Sequence, residues 1–342
     1  MRGASGPSRP SATLAFRSAI LPNHGAAWTP STTSLSAAQG RSAQPLPIAS
    51  ASGLTSPSPS SPATPADDPD HQAAYRWAGG AVRLAWDDPW KRAAVEETAA
   101  LVRHFAAEGV ALDLIENGYL FLNRGEAVPG LNLAGAKFVR EILRRAVEAG
   151  VQLFGERDIQ AVTPDDDVYR VVTSAGDLAA RRVLLALGAA NPRFFPNYPL
   201  AFEKRQVFVL DVPVEGPRAA MPHLVLPLGS GVVYCFVKNV AGVLRLVVGQ
   251  EDIIDHNDAP EPENYFPTLL ELGLAERLPF LAHANVHDIL WGFDATTKSL
   301  VITSHDERLF AANCGSAVRA AGRIGVELAE RLIASMTERS LA

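Results

Sequence analysis

The chain has 342 residues, 47% hydrophobic and 20% charged, a globular composition whose length suggests two domains or one large one. A formal charge of −6 gives no electrostatic footprint for nucleic acid or an anionic membrane, and no apolar stretch is long enough for a membrane helix. Two widely separated cysteines, Cys235 and Cys314, fit neither a disulfide framework nor a C-x-x-C site, which points to a reducing, cytoplasmic setting and buried thiols.

Residues 1–70 are built from Ser, Pro, Ala, Gly and Thr, and bury too little apolar surface to offset the entropy of ordering. Arg2, Arg9, Arg17 and Arg41 precede the first acidic residue, Asp67, which is also the composition of an organelle transit peptide. A disordered tail, a targeting peptide and a displaced start are the three readings. From Tyr75 the pattern sharpens. Asp88-Pro89 is a helix start, and Val95, Ala99, Val102 and Ala106 recur at helical spacing behind it. Tyr119 to Leu122 reads as a strand. A second helix is expected from about Ala134 to Ala149, burying Phe138, Val139, Ile142, Leu143 and Ala146, with Gly150 at its left-handed cap.

Strands follow at Val151–Phe154, Ile159–Val162 and Tyr169–Thr173, around a turn at Pro164-Asp165-Asp166-Asp167. The apolar run Val183–Leu187 suits a strand buried on both faces. The next third reads as Gln206–Val212, His223–Leu226, Val232–Val237 and Val243–Val248, with Ala241-Gly242 as a hairpin turn. A helix near Tyr265–Leu274, a strand at Val286–Trp291 and a closing helix from about Ser316 to Ala334 complete the chain. Mixed elements with one block of hairpins imply an α/β layer interrupted by an antiparallel sheet. No metal site is expected. The three adjacent aspartates belong to turn chemistry, and His283 and His287 precede a strand. His305-Asp306 reads as a solvated loop.

Four segments, in order, resemble the glycine oxidase, sarcosine oxidase and D-amino-acid oxidase superfamily. They are Gly79-Gly80-Ala81-Val82-Arg83; the stretch from Val151 to Val162 with Val172–Gly176 and Val183–Ala189; the hairpin Val233–Lys238 and Leu244–Gly249; and Asn313-Cys314-Gly315-Ser316-Ala317-Val318-Arg319 running on to Glu330. The resemblance implies α/β (α+β) architecture: a Rossmann-like FAD-binding domain with an inserted antiparallel-sheet substrate domain, behind a disordered tail. The implied division is a tail at 1–70, a leading FAD-binding segment at 71–192 with a helical insertion at 88–130, a substrate domain at 193–289, and a closing FAD-binding segment at 290–342.

By the same resemblance, Gly79, Gly80, Ile159, Gly188, Gly315, Ser316, Ala317 and Val318 would lie against FAD. A glycine lets backbone approach a planar ring, and the closing helix would aim N–H groups at the flavin pyrimidine. Arg319 matches the position of a carboxylate-binding lysine in sarcosine oxidases and Arg83 that of a partner arginine beneath the ring, and Tyr234 with Lys238 forms a second pair on one strand face. The implied reaction is C–N oxidation of an amino acid or related amine, with oxygen or another acceptor. Departures are as informative. Lys238 replaces a frequent arginine, Lys298-Ser299 stands where a Pro-Asp pair is common, and no cysteine aligns for covalent flavin. The G-x-G-x-x-G fingerprint is missing, so the FAD-binding domain reads as truncated and the tail as a displaced start. The competing reading is a flavin-free remnant acting as a binding or scaffold protein.

Overall fold

A computed structural model describes residues 80–337, except 155–156, 196, 241, 255–261, 298 and 316, together with Ala37 and Ala38. The rest of the 1–70 tail, Gly79, Ala241, Lys298 and Ser316 lie outside the described residues.

Strands β1 (Ala37–Ala38) and β2 (Ala81–Arg83) precede helix α1 (Pro89–Ala107). Then come β3 (Tyr119–Phe121), β4 (Glu126–Val128), β5 (Gly130–Asn132), α2 (Gly135–Glu148) and β6 (Leu153–Phe154). β7 (Ile159–Asp165), β8 (Val168–Thr173), β9 (Leu178–Ala180) and β10 (Val183–Leu185) follow. The long strands are β11 (Phe202–Pro213), β12 (His223–Leu228), β13 (Gly231–Val240), β14 (Val243–Glu251) and β15 (Val286–Ala295). β16 (Val301–Ser304), β17 (Leu309–Asn313) and helix α3 (Ala321–Thr337) close the chain.

The largest sheet has seven strands in the order β15-β11-β14-β13-β12-β3-β4. Every neighbouring pair is antiparallel except β12 with β3. Side chains alternate across it. Phe208, Leu210, Leu224, Leu226, Val233, Cys235, Val237, Leu246 and Val248 form one face, buried against Phe266, Leu269, Leu274 and Leu281 from short helical turns between β14 and β15. Each such side chain contributes on the order of 1.5–3 kcal/mol by leaving water. This sheet takes β3 and β4 from before residue 193, and β15 runs on past residue 289.

A second core sits under α1, where Val95, Ala99, Val102 and Phe105 meet Val82, Leu112, Leu131 and Phe138. Asp88 caps α1 as its sequence suggests, its carboxylate accepting from the Lys91 amide at 2.9 Å. α1 crosses α3 where Gly322 leaves room: a Cβ there would lie 3.2 Å from the Glu97 carbonyl carbon. The Gly322 amide donates to Thr98 Oγ1 at 3.1 Å.

Four elements differ from the sequence expectation. Pro164 and Asp165 continue β7, opposite Tyr169 and Val168, so the turn tightens to Asp166-Asp167 with Asp166 at φ 49°. The strand expected to Leu187 stops at Leu185 and its middle residue is only half-buried, because Asn191 Oδ1 captures the Leu187 amide and starts a 3-10 turn at Gly188–Arg193. The helix near Tyr265–Leu274 breaks into short turns around Gly273, whose φ is 96°. The closing helix begins at Ala321 after a tight 3-10 turn, Ala317–Ala320. In α2, Glu141 joins Phe138 on the buried side, held by Arg144 at 2.6 Å and Arg145 at 2.7 Å, and the Arg144 hydrogen bond pulls its carboxyl down to about 2. Gly150 takes the left-handed conformation expected of it, at φ 95°.

Candidate active site

The face of the large sheet opposite its core carries the polar aromatics. β3 presents Tyr119 and Phe121, β12 presents His223, and β13 presents Tyr234, Phe236 and Lys238. His223 stacks on Phe236, centroids 4.6 Å apart and planes within 7°, and its other neighbour is Tyr119 at 4.8 Å. His223 is 2% exposed and its Nε2 has no hydrogen-bond partner among the described residues; burial lowers its pKa to about 3 and keeps it neutral. Tyr234 spreads its ring over Gly249, where a Cβ would lie 2.3 Å from the ring, and its hydroxyl donates to the Gln250 carbonyl. Burial raises Tyr119 to about 12 and raises Tyr234 as well, while the charge of Arg319 opposes both shifts. One guanidinium therefore sits in the field of both tyrosines.

A second guanidinium joins it. β2 pairs with β5 so that Arg83 lies opposite Gly130, and a Cβ on Gly130 would meet the Tyr119 ring at 2.7 Å. Arg83 is thereby set beside Tyr119, with its Cζ 3.8 Å from the Trp86 ring centre and 5.6 Å from that of Phe121. Its Nε is buried without a hydrogen-bond partner among the described residues. Burial lowers its pKa and the charge of Arg319 adds to the effect, while Tyr119 works against it. Arg319, in the turn before α3, places its Cζ 5.9 Å from the same Trp86 ring. Two like charges share one aromatic support, an arrangement that an anion stabilises.

Lys238 lies along the same strand face as Tyr234. Asn132 Nδ2 donates to the Val237 carbonyl at 2.5 Å, tying β5 to β13 one residue before it. Burial lowers the Lys238 ammonium from 10.5 to about 8. Beside this face, Trp86, Trp90, Lys91, Gly315 and Arg319 line a shallow indentation with room for about one water.

The remaining sequence candidates lie around the parallel pair β10–β17. Ligands of open α/β sheets bind beyond the carboxyl ends of such strands. At that end Gly188 has φ 58°, and among the described residues nothing lies within 4 Å of where its Cβ would be. Asn313 ends β17 there, its Oδ1 accepting from the Cys314 amide at 2.7 Å while its buried Nδ2 has no partner among the described residues. An orphaned donor beside an open glycine backbone fits the carbonyl and ring edge of a flavin nucleotide.

Gly80 and Gly315 are glycines for another reason. A Cβ on Gly80 would fall 1.8 Å from the Leu133 carbonyl oxygen, and one on Gly315 would fall 2.2 Å from that of Thr297 and 2.4 Å from that of Ala295. Both serve close packing of the chain on itself. Ile159 is buried in β7, Ala317 is exposed, and Val318 packs toward the α1 core. Asp306 is a turn anchor, accepting from the Arg308 and Leu309 amides and from the Tyr169 hydroxyl.

Tyr119, His223, Trp86, Lys91 and Asn313 escape the sequence reading as site residues. Only the alternation Tyr119-x-Phe121 and the position of Trp86, three residues past Arg83, hint at two of them.

The sequence model of a family described as FAD dependent oxidoreductase matches residues 130–331. No curated protein matches the sequence. Among solved structures, the fold is similar to that of iminodiacetate oxidase from Chelativorans sp. BNC1, with TM-score 0.59 and 18% identity over 77% of this chain and 87% of that one. It is also similar to L-proline dehydrogenase from P. horikoshii, with TM-score 0.59 and 14% identity over 73% and 80% of the two chains. Glycine oxidase from Bacillus cereus matches with TM-score 0.57 and 12% identity over 77% and 87%. Likeness at these identities establishes the shared fold.

Proposed function

Because the chain belongs to the family of FAD-dependent oxidoreductases, we propose that it oxidises the C–N bond of an amino acid or related amine at the face carrying Tyr119, Tyr234, Arg83 and Arg319. The observation that carries this reading is the pair of guanidiniums held together on Trp86 beside two half-buried tyrosines. Arginine forks match a carboxylate bidentately, and a carboxylate between them relieves their repulsion. Residues 193–289 supply Tyr234 and act as the substrate domain, with 71–192 and 290–342 forming the nucleotide side and contributing Arg83, Tyr119 and Arg319.

FAD, when bound, supplies the acceptor for the hydride on the carbon beside the amine nitrogen. Gly188 and Asn313, beyond the carboxyl ends of β10 and β17, would hold it noncovalently. The protein's own task is orientation. Arg83 and Arg319 fix the carboxylate, Tyr119 and Phe121 exclude water, and His223 stays neutral and adds no charge of its own. Oxygen or another acceptor takes the electrons onward, and water hydrolyses the product imine.

Lys238 gives this reading a pH signature. Its ammonium discharges near pH 8, so affinity for an anionic substrate falls as pH rises through about 8, and Lys238→Met removes that limb. Stability responds with the opposite sign. The unfolded chain holds the lysine proton up to about 10.5, so the lysine's contribution to stability rises between about pH 8 and 10.5. Titrating binding and melting temperature across that range checks both directions.

The reaction itself is tested by incubating the FAD-supplemented chain in air with a panel of amino acids and N-methyl amino acids, following peroxide and the reduction of an added dye. Turnover of at least one carboxylate-bearing amine is expected. A flavin-loaded protein that oxidises none of them contradicts the proposal.

A further inference from the structure

β10 and β17 pair in parallel as far as Leu185 and Ala311, where their ladder stops. Just past that pair, one side chain spans both segments. Asn191 lies in the 3-10 turn that follows β10 and is 0% exposed. Its Oδ1 accepts from the Leu187 amide at 3.1 Å, while its Nδ2 donates to the Ala312 carbonyl at 3.1 Å and to the Tyr198 hydroxyl at 3.2 Å. Both hydrogens of the Nδ2 group are thereby used. An amide side chain offers the same donor and acceptor as a peptide unit, so it bridges the two segments where their backbones no longer bond to each other.

The two backbone contacts fall at telling places. Leu187 immediately precedes Gly188, and Ala312 immediately precedes Asn313. Gly188 carries the open backbone and Asn313 the buried Nδ2 without a partner among the described residues. One buried amide therefore fixes the chain one residue ahead of each, and with it the separation between them. The amide is itself held from a third side, because Tyr198 stacks on Phe202 at the start of β11, centroids 6.4 Å apart and planes 10° apart.

We infer that Asn191 is the positioning residue of the FAD site, setting the gap between Gly188 and Asn313 without touching the cofactor itself. The inference rests on the proposed role of those two residues in holding FAD. Two contacts can be made together only when their spacing is set in advance, and a spacing already fixed in the free protein loses no further freedom on binding. Full burial of Asn191 means that it acts only through its neighbours.

The test titrates FAD into the full chain and its variants, following absorbance and visible circular dichroism, with melting temperatures measured without FAD. Asn191→Leu, and the milder Asn191→Ser whose space a water can fill, are each expected to weaken FAD uptake about tenfold or more, the scale of one lost hydrogen bond to the ligand. At saturation the dichroism of the bound flavin should also differ from wild type, which loss of stability alone does not produce. Thr98→Val removes a buried hydroxyl that donates to the Ala94 carbonyl and accepts from the Gly322 amide, so it should lower the melting temperature and leave both flavin readings unchanged. Adding Asn313→Ala to Asn191→Ser should weaken uptake by less than the product of the two single effects, because both act on one contact. Uptake by Asn191→Ser within about twofold of wild type, with unaltered dichroism, overturns the assignment and leaves the FAD site standing. Equal weakening in Thr98→Val overturns it as well, because Asn191 would then act through stability alone. A folded wild-type chain that takes up no FAD overturns the FAD reading and this inference together.

Discussion

Arg319→Met is expected to lower kcat/KM for a carboxylate-bearing amine about 100-fold or more, while altering turnover of the same amine without its carboxylate by no more than about threefold. Removing one partner of a hydrogen-bonded charge pair in a partly desolvated site costs about 2–5 kcal/mol, or roughly 30-fold to several thousand-fold. Arg319 is placed for the upper half of that range, since it lies in the field of both Tyr119 and Tyr234. Arg83→Met should act in the same direction, and the double variant should lose less than the product of the two, because both grip one carboxylate. Neither single variant should weaken the free protein through lost charge. Arg83 is pulled down by burial and by Arg319, so in the free protein the two charges oppose each other. Steady-state kinetics on the substrate pair, with melting temperatures alongside, separates the two effects. A uniform loss on both substrates would move Arg319 out of the carboxylate contact.

Gly80→Ala and Gly315→Ala should each destabilise the protein strongly, with or without FAD. At residue 80 the new methyl would meet the Leu133 carbonyl oxygen at 1.8 Å in a backbone of φ 67°. Overpacking of about 1–3 kcal/mol adds to about 1–2 kcal/mol for the left-handed conformation, enough to lower the melting temperature by roughly 10 °C in a chain of this size. At residue 315 two carbonyl oxygens stand within 2.4 Å of the new Cβ. Gly188→Ala differs, because its added Cβ meets nothing. It should lose only about 1–2 kcal/mol from φ, with its main effect on FAD affinity. Thermal melts of the three variants, each with and without FAD, distinguish the glycines that pack the fold from the one that faces the cofactor. Equal sensitivity of all three to FAD would contradict that division.

The hairpin β13–β14 is legible in the sequence because Val232 to Val237 and Val243 to Val248 flank a glycine turn, and α1 because Asp88-Pro89 is a cap with a fixed geometry. The ends of the strands are not. β11 begins at Phe202 and includes Lys204, 1% exposed, a residue type that sequence logic assigns to a surface. Pro164 reads as a turn, yet it lies in β7, where the register with Tyr169 holds. The carboxylate pair Arg83 and Arg319 comes from resemblance. Its surroundings do not, since Tyr119 and His223 reach the site through a pairing across more than a hundred residues, between β3 and β12. The role of each glycine is equally hidden. A sequence shows that a Cβ is missing but not what that Cβ would have struck, and in Gly80 and Gly315 it is the chain itself.

The family is FAD-dependent, so the most direct measurement is an absorbance titration of the purified 342-residue chain with FAD, with its folded state followed in parallel. The account predicts a perturbed flavin band that saturates at one equivalent and weakens in Gly188→Ala and Asn313→Ala. A folded chain that leaves the spectrum of free FAD unchanged would contradict it, and would leave a flavin-free binding protein on the same fold.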